Sequence, residues 1–193
     1  MSTGRVSRRS VVAGTAGLAI LVGVAASRLA GTVVRRGASI GSLVPGKPRS
    51  RPVGFSLSGP DGARYPLVSR RGAPFLLHVW ATWCPPCRHE LPALEAFMQG
   101  WGADCPVVPV AVSSGAAEDV RAFLARSNVS GLPAWTVGGP ELKDWYGQGE
   151  LAIPVTFLID GSGRVRALAA GSLDWADPAA PEALRRVLAG IGA

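Results

Sequence analysis

The strongest constraint on the fold is an apolar run that leads, after three residues, into a close pair of cysteines. Residues 74–80, PFLLHVW, have the length and composition of a buried central strand. The loop ATW follows, and Cys84 and Cys87 then open a segment that is predicted to be helical to about Gln99. Apolar residues repeat there at helical spacing, at Leu91, Leu94, Phe97 and Met98. A strand that runs directly into a helix is a unit of an α/β fold, so we expect both cysteines at the helix N-terminus.

The remaining patterns complete a mixed α/β domain. Two short alternating stretches flank residues 59–62, GPDG, which predicts a β-hairpin ahead of the central strand. Further along the chain the patterns predict a strand at 106–113, helices at 116–128 and 141–147, two strands around 160–163 and a last helix from Asp177. This order predicts a central mixed β-sheet flanked by helices on both faces, with the hairpin as an extra N-terminal element.

Charge is divided unevenly along the chain. The formal net charge is +7, but nine of the 20 Lys and Arg residues precede Val53, and all 13 acidic residues follow it. The 11 remaining cations therefore face 13 acids, a balance of −2 from Val53 onward. The basic character belongs to the N-terminal segment, which suits targeting or a membrane. No basic stripe with interleaved aromatic residues is present, so we expect no nucleic-acid partner.

Residues 1–34 have the layout of an export signal or a membrane anchor. Three arginines between positions 5 and 9 precede an uncharged apolar run at 11–26, and SRRSVV resembles the twin-arginine signal. A small-residue cleavage site ends at Ala26, yet the run is close to the ~17-residue lower limit for a spanning helix, so cleavage and retention both stay open. Residues 35–52, rich in Gly, Pro, Ser and Arg, are predicted to be a flexible linker to a domain at 53–193.

The Cys84–Cys87 pair allows several interpretations. Haem attachment requires a histidine directly after the second cysteine, where this chain has Arg88. A zinc site would need Cys105 and a histidine as further ligands, and the Pro-Pro filling stiffens the turn that such a site needs. A purely structural disulfide over so short a loop would constrain the unfolded chain little. The zinc and structural interpretations stay open, beside that of a redox pair.

A redox pair accounts for the local sequence. Unpaired backbone N–H groups and the helix dipole at a helix N-terminus favour the thiolate form of Cys84. Pro85 and Pro86 are tolerated because the first helical turn needs no N–H partners. Cys84 would attack a partner's disulfide, and Cys87, more buried and one turn on, would resolve the mixed disulfide. Trp83 would supply an apolar rim for docking.

The stretch VWATWCPPCRHELPALEAF resembles the active-site segment of the thioredoxin superfamily, in particular the exported TlpA, ResA and CcmG-like thiol–disulfide oxidoreductases. The resemblance is closest to TlpA, extends to IPVTFLIDGSGRV and AGSLDWADPAAPEAL, and covers roughly residues 53–188. It implies a thioredoxin-like fold, with Cys84 as nucleophile and Cys87 as resolving thiol of a redox-active disulfide. Pro85 and Pro86 would border the docking surface beside Trp83. We expect no cofactor and no metal.

Three further positions follow from the resemblance. Pro154 matches the cis-proline loop that lies against the cysteines, so the Ile153 backbone would pair with an incoming chain; an ordinary trans proline is the alternative. Glu90 matches an acidic residue near the cysteines and could move the proton that Cys87 releases, unless it is a solvated helix charge. His78 stands at the strand position where the family has a buried acid or a neutral amide. It would be either a proton relay or a satisfied core histidine, so whether the cysteine pair is reducing or oxidising stays open.

The function expected from the sequence is a protein-disulfide reductase on the periplasmic, extracytoplasmic side of the cytoplasmic membrane. By resemblance, its partners would be proteins with oxidised cysteines, such as apo-cytochrome c, a copper chaperone or a copper-oxidase subunit, and a membrane thiol donor would supply electrons. The alternatives are a disulfide oxidant of the same fold, a peroxidase and a Cu(I)-binding protein. Cys105, ahead of a predicted strand, is expected to be a buried spectator.

Overall fold

The computed structural model describes residues 37–147 and 151–191. The chain divides into two units, Met1–Arg35 and Arg36–Ala193, and every described residue belongs to the second. The export signal or anchor predicted over residues 1–34 therefore lies outside the described residues. Among the helices that are described, none is long and apolar enough to cross a membrane.

Seven strands form one mixed sheet in the order β2-β1-β5-β4-β3-β6-β7. Their bounds are β1 Ser56–Ser58, β2 Arg64–Pro66, β3 Phe75–Trp80, β4 Val107–Val112, β5 Thr136–Val137, β6 Val155–Ile159 and β7 Val165–Ala170. The ladders β3–β4 and β4–β5 are parallel, and the other four are antiparallel. β3 and β4 are buried along their whole length, as their nearly continuous apolar sequences predict.

Four helices are described, α1 Pro85–Trp101, α2 Ala117–Arg126, α3 Gly139–Tyr146 and α4 Ala180–Ala189. Their buried residues recur at helical spacing. The apolar faces of α1, α2 and α4 pack in one buried cluster, whereas α3 packs in a second cluster. Because alternate residues of β3 belong to different clusters, helices cover both faces of the sheet, as predicted from the order of the elements.

The alternation of side chains along β3 positions the site. Leu76 and Trp80 face the cluster that contains α1, and Leu77 and Val79 face the other cluster. His78 lies between Leu76 and Trp80 on the same face, because side chains of a strand alternate with a period of two. The imidazole therefore points towards α1 and the cysteines.

The predicted turn at residues 59–62 joins β1 to β2. These strands pair antiparallel, with Leu57 opposite Tyr65, around a 3-10 turn at Pro60–Gly62. Asp61 and Gly62 have φ values of 57° and 76° in this turn, a conformation that Asp and Gly adopt readily. The two-residue strand β5, which joins the hairpin to the rest of the sheet, is too short to give a periodic signal and was not predicted.

Residues 37–52, expected to be part of a flexible linker, instead pack on the domain. Ile40 and Leu43 are each 1% exposed and belong to the buried cluster that also contains α4. Backbone hydrogen bonds attach the segment to β7 and to the chain that follows it, at Ala38–Ser172, Gly46–Arg166 and Arg49–Val165. Two apolar residues around a short 3-10 turn at Ile40–Ser42 give no periodicity, so a composition rich in Gly, Pro and Ser was misleading.

Candidate active site

Cys84 is the N-cap of α1. Its sulfur lies 3.3 Å from the backbone nitrogen of Cys87, which donates to it, and Pro85 and Pro86 fill the first helical turn. The proline residues cost no hydrogen bond there, because the first N–H groups of a helix have no partner within the helix. The sulfur of Cys84 thus lies where unpaired N–H groups and the helix dipole stabilise an anion.

Cys84 and Cys87 form a disulfide, with their Cα atoms 5.3 Å apart. Cys87 is fully buried and Cys84 is 2% exposed. This agrees with the predicted order of burial, although Cys84 is covered almost as completely as Cys87. A partner must therefore reach Cys84 over the exposed residues beside it.

The Ile153–Pro154 peptide bond is cis, and the Ile153 carbonyl oxygen lies 3.5 Å from the Cys84 sulfur. The register of the sheet explains this contact. Val155, the first residue of β6, is opposite Val79 near the end of β3, so the loop before β6 lies beside the loop that carries Cys84. The contact joins two sequence positions that are 69 residues apart.

The exposed rim of the site is aromatic on one side. Trp83 is 59% exposed, and its indole N–H donates to the Ser113 carbonyl oxygen at 2.9 Å, which fixes the ring on the surface. Trp83, Leu142, Lys143 and Ile153 are among the residues that line a cleft of about 310 Å³. An exposed apolar ring beside a covered disulfide suits docking of another protein chain better than plain core packing.

A cluster of buried polar side chains lies on the same face of the sheet. His78 is fully buried and Glu90 is 6% exposed, so the interpretation of Glu90 as a solvated helix charge is wrong. Nε2 of His78 is 3.4 Å from Oε1 of Glu90, and Nδ1 is 2.9 Å from Oγ1 of Thr156. Oε2 of Glu90 accepts hydrogen bonds from the Leu173 backbone N–H and the Trp175 indole N–H.

Sequence reasoning missed the partners in this cluster. Thr156 is directly opposite His78 in the β3–β6 ladder, and Trp175 is 85 residues from Glu90. The predicted position of Pro154 beside Cys84 also determines the register of β6 against β3. That register would have placed Thr156 opposite His78. Nothing local in the sequence indicates Trp175.

Cys105 is free and buried, and it lies at the other end of the sheet from the disulfide. It precedes β4, whereas Cys84 follows the carboxyl end of the parallel strand β3. Burial raises the pKa of its thiol above the usual value, against weaker lowering effects of the Val107 backbone and Arg70. This placement removes Cys105 from any zinc site with Cys84 and Cys87. Within residues 37–147 and 151–191, no group of three or more His, Cys, Asp and Glu side chains could hold a metal ion.

The sequence of residues 51–168 matches the model of the AhpC/TSA family. The chain belongs to the AhpC/TSA family. The chain is similar to the thioredoxin-like protein YneN of Bacillus subtilis (strain 168), at 30% identity over 125 residues, 62% of this chain and 69% of the relative. The thiol-disulfide oxidoreductase ResA of Geobacillus thermodenitrificans is 32% identical over 123 residues, 62% of this chain and 67% of the relative.

A solved structure of a thiol:disulfide interchange protein of the thioredoxin family, from Chlorobium tepidum, matches with a TM-score of 0.54 and 27% identity. The match covers 75% of this chain and 97% of that one. The comparisons confirm the predicted resemblance to thioredoxin-like thiol–disulfide oxidoreductases, and the predicted fold class with it. They also confirm the predicted enzyme class, a thiol–disulfide oxidoreductase.

Proposed function

We propose that this protein reduces disulfides of partner proteins on the outer side of the cytoplasmic membrane, with Cys84 as nucleophile and Cys87 as resolving thiol. One observation carries the proposal: the Cys84–Cys87 disulfide lies at the N-terminus of α1, with the carbonyl oxygen of Ile153 3.5 Å from the Cys84 sulfur. A cysteine in that position can attack, and the backbone beside it can hold the chain that it attacks.

The reaction begins with the reduced pair, Cys84 as thiolate and Cys87 as thiol. The Cys84 sulfur attacks one sulfur of the partner's disulfide; a mixed disulfide forms and the partner's other sulfur leaves as a thiolate. Cys87 then loses its proton, attacks Cys84 and releases the second sulfur of the partner. Two cysteine sulfurs of the enzyme are oxidised, two of the partner are reduced, and the released thiolates take up protons.

Docking would involve the exposed rim. Trp83 offers an apolar ring whose orientation is fixed by Ser113, and Pro85 and Pro86 are exposed on the other side of Cys84. The backbone of Ile153, in the loop before β6, would pair with an extended segment of the partner. Because Cys84 is itself nearly covered, the partner's cysteine must protrude from its own surface to react.

The direction of electron flow and the partners are proposed from the resemblance of the active-site segment to exported reductases, closest to TlpA. The partners would be apo-cytochrome c, a copper chaperone or a copper-oxidase subunit, with a membrane thiol donor behind the enzyme, which residues 1–34 would export or anchor. A reduction potential of the Cys84–Cys87 pair near about −270 mV would support a reductase, and one near about −120 mV would favour the oxidant of the same fold.

The test of the function is a trap. A Cys87→Ala variant lacks the resolving thiol, so it should hold its partner as a mixed disulfide through Cys84, to be identified by mass spectrometry after diagonal electrophoresis. A Cys105→Ala variant is the matched control and should hold no partner, because its resolving thiol remains.

Two results would contradict the proposal. One is that Cys87→Ala captures no more protein than the Cys84→Ala/Cys87→Ala double variant. The other is that the reduced wild-type chain, with no captured partner, consumes peroxide or retains Cu(I) against a chelator, which would favour the peroxidase or copper-binding alternatives.

A further inference from the structure

The polar cluster around His78 contains two buried atoms without a hydrogen-bond partner, and they face each other. Nε2 of His78 and Oε1 of Glu90 each lack a partner within hydrogen-bonding geometry, although they are only 3.4 Å apart. A buried polar atom without a hydrogen-bond partner destabilises the folded chain. One proton held between the two atoms would satisfy both at once.

The other ends of both side chains are already fixed. Nδ1 of His78 is hydrogen-bonded to Oγ1 of Thr156 in β6, and Oε2 of Glu90 accepts from two N–H groups. The ring of Trp175 stands edge-on to the imidazole, with ring centroids 5.4 Å apart. The groups that face the imidazole are thus Thr156, Trp175 and Glu90, and Glu90 is the one charged group hydrogen-bonded or ion-paired with it in the described part of the chain.

The pair is connected to the thiols through α1. Glu90 follows Cys87 by three residues, so both side chains project from the same face of the helix. Cys87, Trp175 and the β3 residues Leu76 and Trp80 pack in one buried cluster. A carboxylate that is buried one turn from the resolving thiol can take a proton from that thiol, and the buried site must then accommodate the charge of the thiolate.

We propose that His78 is a positioning residue that acts through Glu90: the two side chains share one proton across the gap between Nε2 and Oε1, and the pair accepts the proton that Cys87 loses. This inference rests on the function proposed above. In the resolving step, the S–H bond of Cys87 breaks and its proton passes to the pair. The Cys87 sulfur then bonds to Cys84, the bond from Cys84 to the partner breaks, and its electrons leave with the partner's sulfur as a thiolate.

The shared proton makes the resolving step depend on pH in a particular direction. With His78 neutral and Glu90 ionised, the pair can accept a proton; once the imidazole is protonated, it cannot. The rate of the resolving step should therefore rise as the pH is raised, because the imidazole can accept a proton only in its neutral form. A histidine that only fills space in the core would not produce this dependence.

The experiment separates the two thiol steps in the reduced full-length chain. An aromatic disulfide that releases a coloured thiolate is mixed with the protein: the first release reports the attack by Cys84, and the second reports resolution by Cys87. The variants are His78→Gln, which keeps an N–H donor near the Nε2 position but no titratable nitrogen, and Glu90→Gln. The matched control is His89→Gln, the same change at the exposed neighbour of Glu90 on α1.

All proteins should show the same first release. In the wild type and His89→Gln, the second release should accelerate as the pH is raised. In His78→Gln it should be about tenfold slower at pH 7 and nearly independent of pH, and in Glu90→Gln it should be at least about a hundredfold slower, as for the loss of a general base. A second release in His78→Gln that follows the wild-type pH profile would overturn the inference.

Two further measurements test the shared proton and distinguish its failure from failure of the proposed function. If His78→Gln does not fold, the imidazole nitrogens of the wild type are observed by NMR in the oxidised and reduced chain at equal pH; unchanged signals would reject a pair that exchanges protons with the thiols. Absence of the first release from the wild type would instead contradict the proposed function, so the two failures are distinguishable.

Discussion

The segment that precedes the hairpin offers a sharp test of the fold, because it places a buried and an exposed apolar residue side by side. Leu43 is 1% exposed and belongs to the same buried cluster as Cys84, Cys87 and α4, whereas Val44 is 74% exposed. We therefore expect Leu43→Ala to destabilise the oxidised full-length chain strongly and Val44→Ala, at the next position of the same segment, to destabilise it little.

The magnitude follows from the buried carbon atoms. Leu43→Ala removes three buried carbons, which at about 0.8 kcal/mol each lowers the free energy of unfolding by about 2.4 kcal/mol. The cavity left behind raises the loss to about 3 kcal/mol, within the range of buried Leu→Ala changes. Val44→Ala removes two carbons of a side chain that is only about a quarter covered, so the same arithmetic gives about 0.4 kcal/mol.

Urea unfolding followed by tryptophan fluorescence measures both losses. With an m-value of about 2 kcal/mol/M, Leu43→Ala should lower the midpoint by about 1.5 M and Val44→Ala by about 0.2 M. Equal midpoints for the two variants would refute the packing of residues 37–52 on the domain. The domain boundary at Val53 that the sequence suggested would then be correct.

Two further predictions concern titratable groups. Burial by itself would raise the pKa of Asp160, but hydrogen bonds from Ser162, Arg164 and Arg166 hold the pKa of this carboxyl below its usual value. The stability that the ionised carboxyl contributes is therefore present at neutral pH and is lost as the pH falls below about 4. Urea midpoints should show that Asp160→Asn destabilises the chain by roughly 1–3 kcal/mol at pH 7 and by much less at pH 3. An equal loss at both pH values would contradict the stabilising role of the ionised carboxyl. Since burial raises the pKa of the Cys105 thiol, alkylation of the reduced chain at pH 8 should modify Cys105 at least about tenfold more slowly than Cys84, as followed by peptide mass spectrometry; equal rates would contradict its role as a spectator.

The parts of the structure that the sequence predicts are those with a local cause. A continuous apolar run predicts β3, helical spacing predicts α1, and within a helical segment the two prolines after Cys84 are compatible only with the first turn. The strand β5 and the packed segment at residues 37–52 have no such local signal. Both are held by contacts with distant parts of the chain, β5 by its neighbours in the sheet and the segment by β7 and α4.

The same distinction divides the candidate site into two halves. The half formed by Cys84 and Cys87 lies within one helical turn, so spacing alone defines its geometry. The half formed by His78 and Glu90 depends on the register of β3 against β6 and on where the chain returns before α4, which no local pattern fixes. Sequence reasoning could therefore name both residues but not pair them.

That pairing changes what the chemistry of the site requires. Two N–H groups donate to one carboxylate oxygen of Glu90, and a thiol proton that arrives from Cys87 must still reach solvent. The imidazole on the other oxygen gives that proton a second place to reside, and Thr156 fixes the imidazole in the orientation that makes the transfer possible. His78→Gln should change the pH profile of the resolving step and leave the attack by Cys84 unchanged. That result would show that His78 controls the reactivity of Cys87 and not that of Cys84.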